Sequence, residues 1–479
     1  MFTLGRDNLK VVAMVAVLAF IFAALTIVSW GDWSPIWRFV VMVIGAHIPY
    51  VIALFTLAKR SSISPVFLVS AALFLRLLLV FGMPTFSDDV YRYVWDGMVT
   101  LDGTNPYAHA PDDPALAHLR DDGWKKINNK ELRTIYPPGA QYIFAVVAAV
   151  SPSIYFFKFV AALADTGLVI MILLLIGGVR RQDGILAAAA YGLNPLACVE
   201  VGMSGHLEPL AILPLLLAIY FLKSSKYTVT AAFAALAATV KLLPLTAILV
   251  LGRRKKIVWL AALAFAILFC LPFFAQKQNL LETLDAFGRR WEFNAGLFEI
   301  IKGIVYAVTS WFSNGAGPND LVYLPFMDSP ARMLQGTFFS LHKDGGFDIA
   351  HPGAFGRLDL SLAITKLIMT FAIGFVALLV FVKKFVPIRF CLFLFGAVIV
   401  FTPVLHPWYL LWVLPFAAIQ RAWPWFVFGA TLPLAYLTLD GWWAHGEWNL
   451  PCWVQFIEWG TLLIATVAFR VDCSTGNDR

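Results

Sequence analysis

Residues 86–107 read FSDDVYRYVWDGMVTLDGTNPY, beginning where an apolar run ends. Asp88, Asp89, Arg92, Asp96 and Asp102 crowd into this stretch of a chain that is only 14% charged. On a helix, residues four apart share a face, so Asp88, Arg92 and Asp96 line one side while Tyr91, Val94, Trp95 and Met98 line another. The spacing predicts a helix lying at a membrane surface, its apolar side on lipid or protein and its carboxylates aimed into the cavity that the membrane segments enclose. Carboxylates at a membrane boundary are costly unless they are paired or used.

The rest of the composition supports a membrane setting. With 479 residues, 60% hydrophobic content and 17 Trp, and a mean hydropathy of +0.77, the chain is a polytopic membrane protein rather than a soluble enzyme or a disordered segment. Its net charge of +7 comes from short Lys and Arg clusters between apolar runs, the pattern of cytoplasmic loops. The charge therefore reports topology in a lipid bilayer, and no nucleic-acid partner is expected. Cys198, Cys270, Cys391, Cys452 and Cys473 have no paired spacing and read as packing residues. The first apolar run lacks a small-residue cleavage site and reads as a retained span.

Apolar runs of membrane-crossing length give a count of about thirteen spans in one all-helical domain. Residues 1–81 form the N-terminal spans, 82–139 a first extracytoplasmic loop, 140–274 core spans, 275–360 a second extracytoplasmic loop and 361–479 the C-terminal spans. Arg6, Lys10, Lys59 and Arg60 place the N-terminus and the second loop in the cytoplasm. Asp88 and its neighbours are then extracytoplasmic. The first loop also carries Asn105-Pro106-Tyr107 and Tyr136-Pro137-Pro138-Gly139, and loops this long are usually functional. Between Thr228 and Leu251, basic clusters at both ends call for two half-helices meeting near Lys241, which would face a polar cavity. The alternative is a lysine snorkelling to the interface. Arg76 and Asp165, inside apolar runs, are candidates for a buried pair.

Adjacent carboxylates suit general-base work, because mutual repulsion and partial burial raise one pKa toward neutrality. Lys and Arg beside lipid suit a phosphate head group. Asp88 and Asp89 are thus the candidate catalytic pair. Lys241, Arg289 and Arg290 are the candidate phosphate-binding cations. Arg92, Asp96, Tyr136, His206, Glu208 and His406 are candidates for substrate contact, with His206 equally suited to a hydrogen-bonded structural role. A carboxylate base with phosphate-binding cations is what transfer of a sugar from a lipid phosphate to a hydroxyl needs. A lipid or solute transporter would share the broken helices and buried charges, but it would usually show repeat symmetry.

Residues 87–97, 103–107, 136–138, 205–208, 241–244, 291–294 and 406–409 together resemble the GT-C superfamily of integral-membrane glycosyltransferases. They are most similar to its bacterial polyprenol-phosphate-mannose-dependent mannosyltransferase branch. The resemblance implies a polyprenyl-phosphate sugar donor, a glycan or glycolipid acceptor, inversion at the sugar, and an active site on the extracytoplasmic face of the bacterial inner membrane. It implies a first-loop aspartate as base, with Asp88 favoured as the first acid of the pair and Asp89 close behind, Lys241 on the donor phosphate, Trp291 and Asn294 framing the donor's lipid or sugar, and a second acidic position at Glu208, where relatives often carry aspartate. His206, Glu208 and an aspartate could ligate a divalent cation, although many members of the superfamily need none, and no metal ligand is assigned.

Overall fold

A backbone withdrawn from water can satisfy its N–H and C=O groups only within itself, so the long apolar runs close into helices. A computed structural model describes residues 6–59, 63–177, 181–253, 255–290, 292–312, 321–323, 354–445, 448 and 450–469. Five of its helices are long and apolar enough to cross a membrane: Arg6–Val28 (α1), Trp37–Ala58 (α2), Ile154–Ile176, Ile257–Ala275 and Ser361–Val382. A sixth is a bent pair, counted below. Phe20, Ile27, Phe55 and Leu268 lie exposed on these helices, as lipid-facing residues must. The other apolar runs fold as shorter helices, so the described residues carry five to six candidate crossings where the sequence suggests about thirteen.

The chain divides into two units. The first draws on Met1–Gln276, Val386–Leu392 and Pro407–Arg479, the second on Lys277–Phe385 and Phe393–His406. In the first, α1 and α2 are followed by Pro65–Val80 (α3), Asp89–Leu101 (α4), Pro138–Val150 (α5) and Ile154–Ile176 (α6). Then come Arg181–Gly192 (α7), Pro195–Gly202 (α8), Glu208–Lys223 (α9), Tyr227–Val240 (α10), Leu245–Leu251 (α11) and Ile257–Cys270 (α12). Ala231, Ala234, Ala235, Ala237 and Ala238 are buried along α10, where it packs on α9 and α12. Small side chains let membrane helices approach closely enough for dispersion to hold them.

The bend between α7 and α8 measures 52°, and its cause is local. Asn194 Oδ1 accepts the Ala197 N–H at 3.0 Å, and Pro195 opens the second helix. The carbonyl of Gly192, released by the bend, accepts from an Arg76 terminal nitrogen at 2.7 Å. Arg76 Nε meets Asp165 Oδ2 at 2.5 Å, and the Tyr191 hydroxyl donates to the other Asp165 oxygen. All three side chains are fully buried. The pair expected from sequence therefore ties α3, α6 and the bend together.

The helix of residues 89–101 differs from its predicted role at a surface. Residues 90–97 and Val99 are all buried, and α4 packs on α5 and α6. The polar face can leave water because Arg92 Nε meets Asp96 Oδ1 at 2.9 Å and the loop covers the pair. Arg92 donates to the Leu132 carbonyl at 3.0 Å, and Gln141 donates to Asp96 Oδ2 at 3.2 Å.

In the second unit, Lys277–Arg290 (α13) and Gly296–Phe312 (α14) precede a short antiparallel pair, Leu321–Tyr323 (β1) with Ala354–Gly356 (β2), and then Arg357–Val382 (α15). Phe298 on α14 and Met369 on α15 meet in a small core with Ala295.

Removing one partner of the buried pair leaves an uncompensated charge, at a cost of about 3–5 kcal/mol. Arg76→Met or Asp165→Leu is expected to lower the Tm of the detergent-solubilised protein sharply, and the double substitution to recover most of the loss. Two small, additive losses would show that the pair does not hold the bend.

Candidate active site

Asp88 and Asp89 sit where the chain turns from α3 into α4. Asp88 is the residue before the helix and Asp89 opens it, with the Asp89 N–H 3.3 Å from Ser87 Oγ. The two carboxylates part company there. Asp88 Oδ1 accepts from the Asn128 side-chain amide at 2.5 Å and so belongs to the loop. Asp89 turns toward the helix bundle, where Oδ2 lies 3.9 Å from His206 Nδ1. Burial, then the Asp89 charge, push the Asp88 carboxyl up to about 7. Burial also raises Asp89, against the lowering effect of His206 and Lys241.

His206 is placed by a tight return of the chain after α8. Its backbone N–H donates to the Glu200 carbonyl at 3.0 Å. Gly205 precedes it with φ +79°, and a Cβ there would stand 2.7 Å from Lys158 Cγ. Only glycine combines that conformation with that approach. The imidazole stacks on the Trp408 ring, centroids 4.2 Å apart. This gives the His406-Pro407-Trp408-Tyr409 motif a packing role through its tryptophan.

Lys241 stands at the predicted helix break: α10 ends at Val240, Lys241 is extended, and α11 resumes at Leu245. Its ammonium lies 3.1 Å from Glu208 Oε1 and 5.6 Å from the centre of the Tyr136 ring. Glu208 is 1% exposed, whereas Lys241 and Asp89 both keep 26% of their side-chain surface open. The YPPG turn sets this geometry. Pro137 and Pro138 start α5, the Tyr136 carbonyl accepts the Tyr107 hydroxyl at 2.6 Å, and a Cβ on Gly139 would stand 2.7 Å from the Thr239 backbone. The NPY and YPPG motifs are thus one clamp that presses the loop against the end of α10.

The structure brings together Asp89, His206, Glu208, Lys241 and Tyr136, with Asp88 at their edge. Arg92 and Asp96 are spent on each other beneath the loop. Asn294 and His406 lie in the second unit. Asn294 is buried with φ +52°, a conformation asparagine tolerates, and His406 stacks on Phe293 at 4.9 Å. Arg289 and Arg290 end α13; their side chains, and Trp291 entirely, lie outside the described residues. Sequence reasoning passed over Glu200, fully buried on α8. Its Oε1 accepts the Tyr436 hydroxyl at 2.6 Å, and its Oε2 lies 3.4 Å from His206 Nε2. The only sequence signal for it is a lone acid inside an apolar run. Among the described residues, no group of three or more His, Cys, Asp or Glu side chains is arranged to hold a metal ion.

Residues 10–261 match the family model described as alpha-(1->6)-mannopyranosyltransferase, N-terminal domain, of the MptA/B family. No curated protein and no solved structure matches the chain.

Asp88 titrates near 3.8 when exposed and about 7 when folded. Between those values the folded state binds more protons than the unfolded one, so stability falls as pH rises through the interval and levels off above it. Asp88→Asn removes the cost. Its Tm is expected to exceed wild type at pH 8, with the gap closing toward pH 4. A gap that is absent at pH 8, or constant with pH, would contradict a charge held against burial.

Proposed function

The chain belongs to the MptA/B family of alpha-(1->6)-mannopyranosyltransferases, and from that premise we propose a donor, a face of action and a base. It is a multi-pass membrane protein that transfers mannose to a glycan acceptor. On our reading the donor is a polyprenyl-phosphate mannose, and the acceptor is a glycan or glycolipid at the extracytoplasmic face of the bacterial inner membrane. The shorter apolar helices complete a GT-C-type set of about thirteen crossings.

The observation that carries this reading is the pair Asp89 and Lys241: one carboxylate and one ammonium, close enough for the lysine charge to act on the acid, each partly exposed among groups otherwise sealed from water. Asp89 takes the proton of the acceptor hydroxyl. The oxygen attacks the mannose anomeric carbon as its bond to the phosphate oxygen breaks, with inversion by a single displacement. Lys241 stabilises the charge gathering on the departing polyprenyl phosphate. Titration near 7 would by itself nominate Asp88, but geometry comes before pKa in choosing a base. Asp88 faces Asn128, and Asp89 faces His206 and Lys241. Arg289 and Arg290 remain candidates for the same phosphate.

Radiolabelled mannose offered as polyprenyl-phosphate mannose to a synthetic α-mannoside should be transferred by wild type, while GDP-mannose should not. Asp89→Asn is expected to lower kcat by about 10²- to 10⁴-fold, the usual worth of an acid–base group, and Lys241→Ala to raise the donor KM and lower kcat together. Asp88→Asn should keep most of the activity. Consumption of the nucleotide sugar alone would remove the lipid-phosphate donor, and loss confined to Asp88→Asn would move the base to that residue.

A further inference from the structure

Glu200 is 0% exposed, and one oxygen is fixed by a hydroxyl from a distant part of the chain. A carboxylate so deeply buried costs several kcal/mol unless something answers its charge. What faces its free oxygen is His206 Nε2 at 3.4 Å, and the opposite nitrogen of the same ring faces Asp89 at 3.9 Å. The ring itself is fully buried and pinned flat against Trp408. Neither nitrogen makes an aligned hydrogen bond, and Glu200 Oε2 makes none either.

A neutral imidazole has one donor and one acceptor. Between two ionised carboxylates it would turn a lone pair toward one of them, whereas a ring donating from both nitrogens answers both. We propose that Glu200 is a positioning residue for mannosyl transfer: held by Tyr436, it keeps His206 donating from both nitrogens, so that a positively charged ring faces Asp89 and holds the carboxylate of the base in place. Glu200 does not touch substrate. It acts through the ring, as Tyr436 acts through Glu200. The proposal rests on the assignment of Asp89 as base under "Proposed function".

Purely structural roles make a different forecast. If Glu200 only ties α8 to the Leu432–Leu437 turn that carries Tyr436, an isosteric amide that still accepts the tyrosine hydroxyl should serve as well. If it holds His206 as a ring donating from both nitrogens, the amide should fail, because its NH₂ meets Nε2 as an acceptor and leaves a neutral ring that still donates from Nδ1 but carries no positive charge beside Asp89.

The test uses the full chain in detergent, with polyprenyl-phosphate mannose and an α-mannoside acceptor. Glu200→Gln is expected to lower kcat by about ten- to a hundredfold, less than loss of the base itself, with both KM values and the Tm near wild type. Tyr436→Phe, which removes only the clamping hydroxyl, should show the same kcat-only signature more weakly. The double variant Glu200→Gln, His206→Asn should be no slower than the slower of its two parents, since residues acting as a unit are not additive. Nitrogen-15 NMR of labelled histidine, with the His206 signal assigned by its loss in His206→Asn, should show both ring nitrogens protonated in wild type and one in Glu200→Gln. The spectrum decides even if the lipid donor is not turned over, a result that would instead overturn the donor assignment. Unchanged kcat in Glu200→Gln, additive losses in the double variant, or a singly protonated His206 in wild type would each overturn the proposal. If Glu200→Gln does not fold, an unchanged kcat in Tyr436→Phe overturns it as well.

Discussion

A charge that leaves water must meet an opposite charge or an aligned donor, and this constraint is met at two depths of the first unit. Within the apolar helices, Arg76, Asp165 and Tyr191 form a closed set, with Arg76 also taking the carbonyl freed at the bend. At the end of the same bent pair, Glu200, His206, Asp89, Glu208 and Lys241 form an open one. The closed set is architecture: every donor it commits holds two helices in register. The open set differs in that two of its charged side chains, Asp89 and Lys241, each keep 26% of their surface open, whereas Arg76 and Asp165 keep none, and that access distinguishes a place prepared for chemistry from a place prepared for stability.

The two sets are connected by the backbone. The α7–α8 bend that Arg76 stabilises is what brings Glu200 toward the end of the bundle, and the return through Gly205 brings His206 back over it. The break after Val240 does the equivalent for Lys241, with Gly139 admitting the end of α10 against α5. Interrupted helices are tolerated in a membrane only where they are buried in protein or line a cavity. Here each interruption delivers one ionisable side chain to the same cluster, Glu200 and His206 buried within it and Lys241 at its exposed edge, so the irregular backbone and the polar site have a common cause.

Much of this was legible from residue types and spacing. Paired aspartates after an apolar run, basic clusters at both ends of one segment, and opposite charges inside two apolar runs each announce a local conflict that folding has to resolve. The resolution was less legible. The Arg92 and Asp96 face of α4 reads as lining a cavity because a helix wheel carries no information about Leu132 of the loop and Gln141 of α5, which cover it. Glu200 was missed for a related reason. Its partner Tyr436 lies 236 positions away, and no periodicity links them. Asp88 and Asp89 are identical in type and adjacent, so only the fold could separate the one facing Asn128 from the one facing His206.

The balance of charge at the opening also bears on turnover. On the transferase reading, Lys241 is parked on Glu208 before a donor arrives, and the incoming phosphate must compete with that carboxylate for the same ammonium. Competition weakens ground-state binding of the donor. In the transition state the leaving phosphate has gained negative charge, so its claim on Lys241 strengthens while that of Glu208 is constant. An interaction that grows in this way lowers the barrier rather than merely tightening substrate. Once the acceptor has been mannosylated, Glu208 is still beside the lysine to reclaim it, which favours release of the polyprenyl phosphate. A lysine without a resident partner would hold donor and product alike. On the proposed reading, the carboxylate that looks redundant beside Lys241 is what converts binding of the lipid-phosphate donor into turnover.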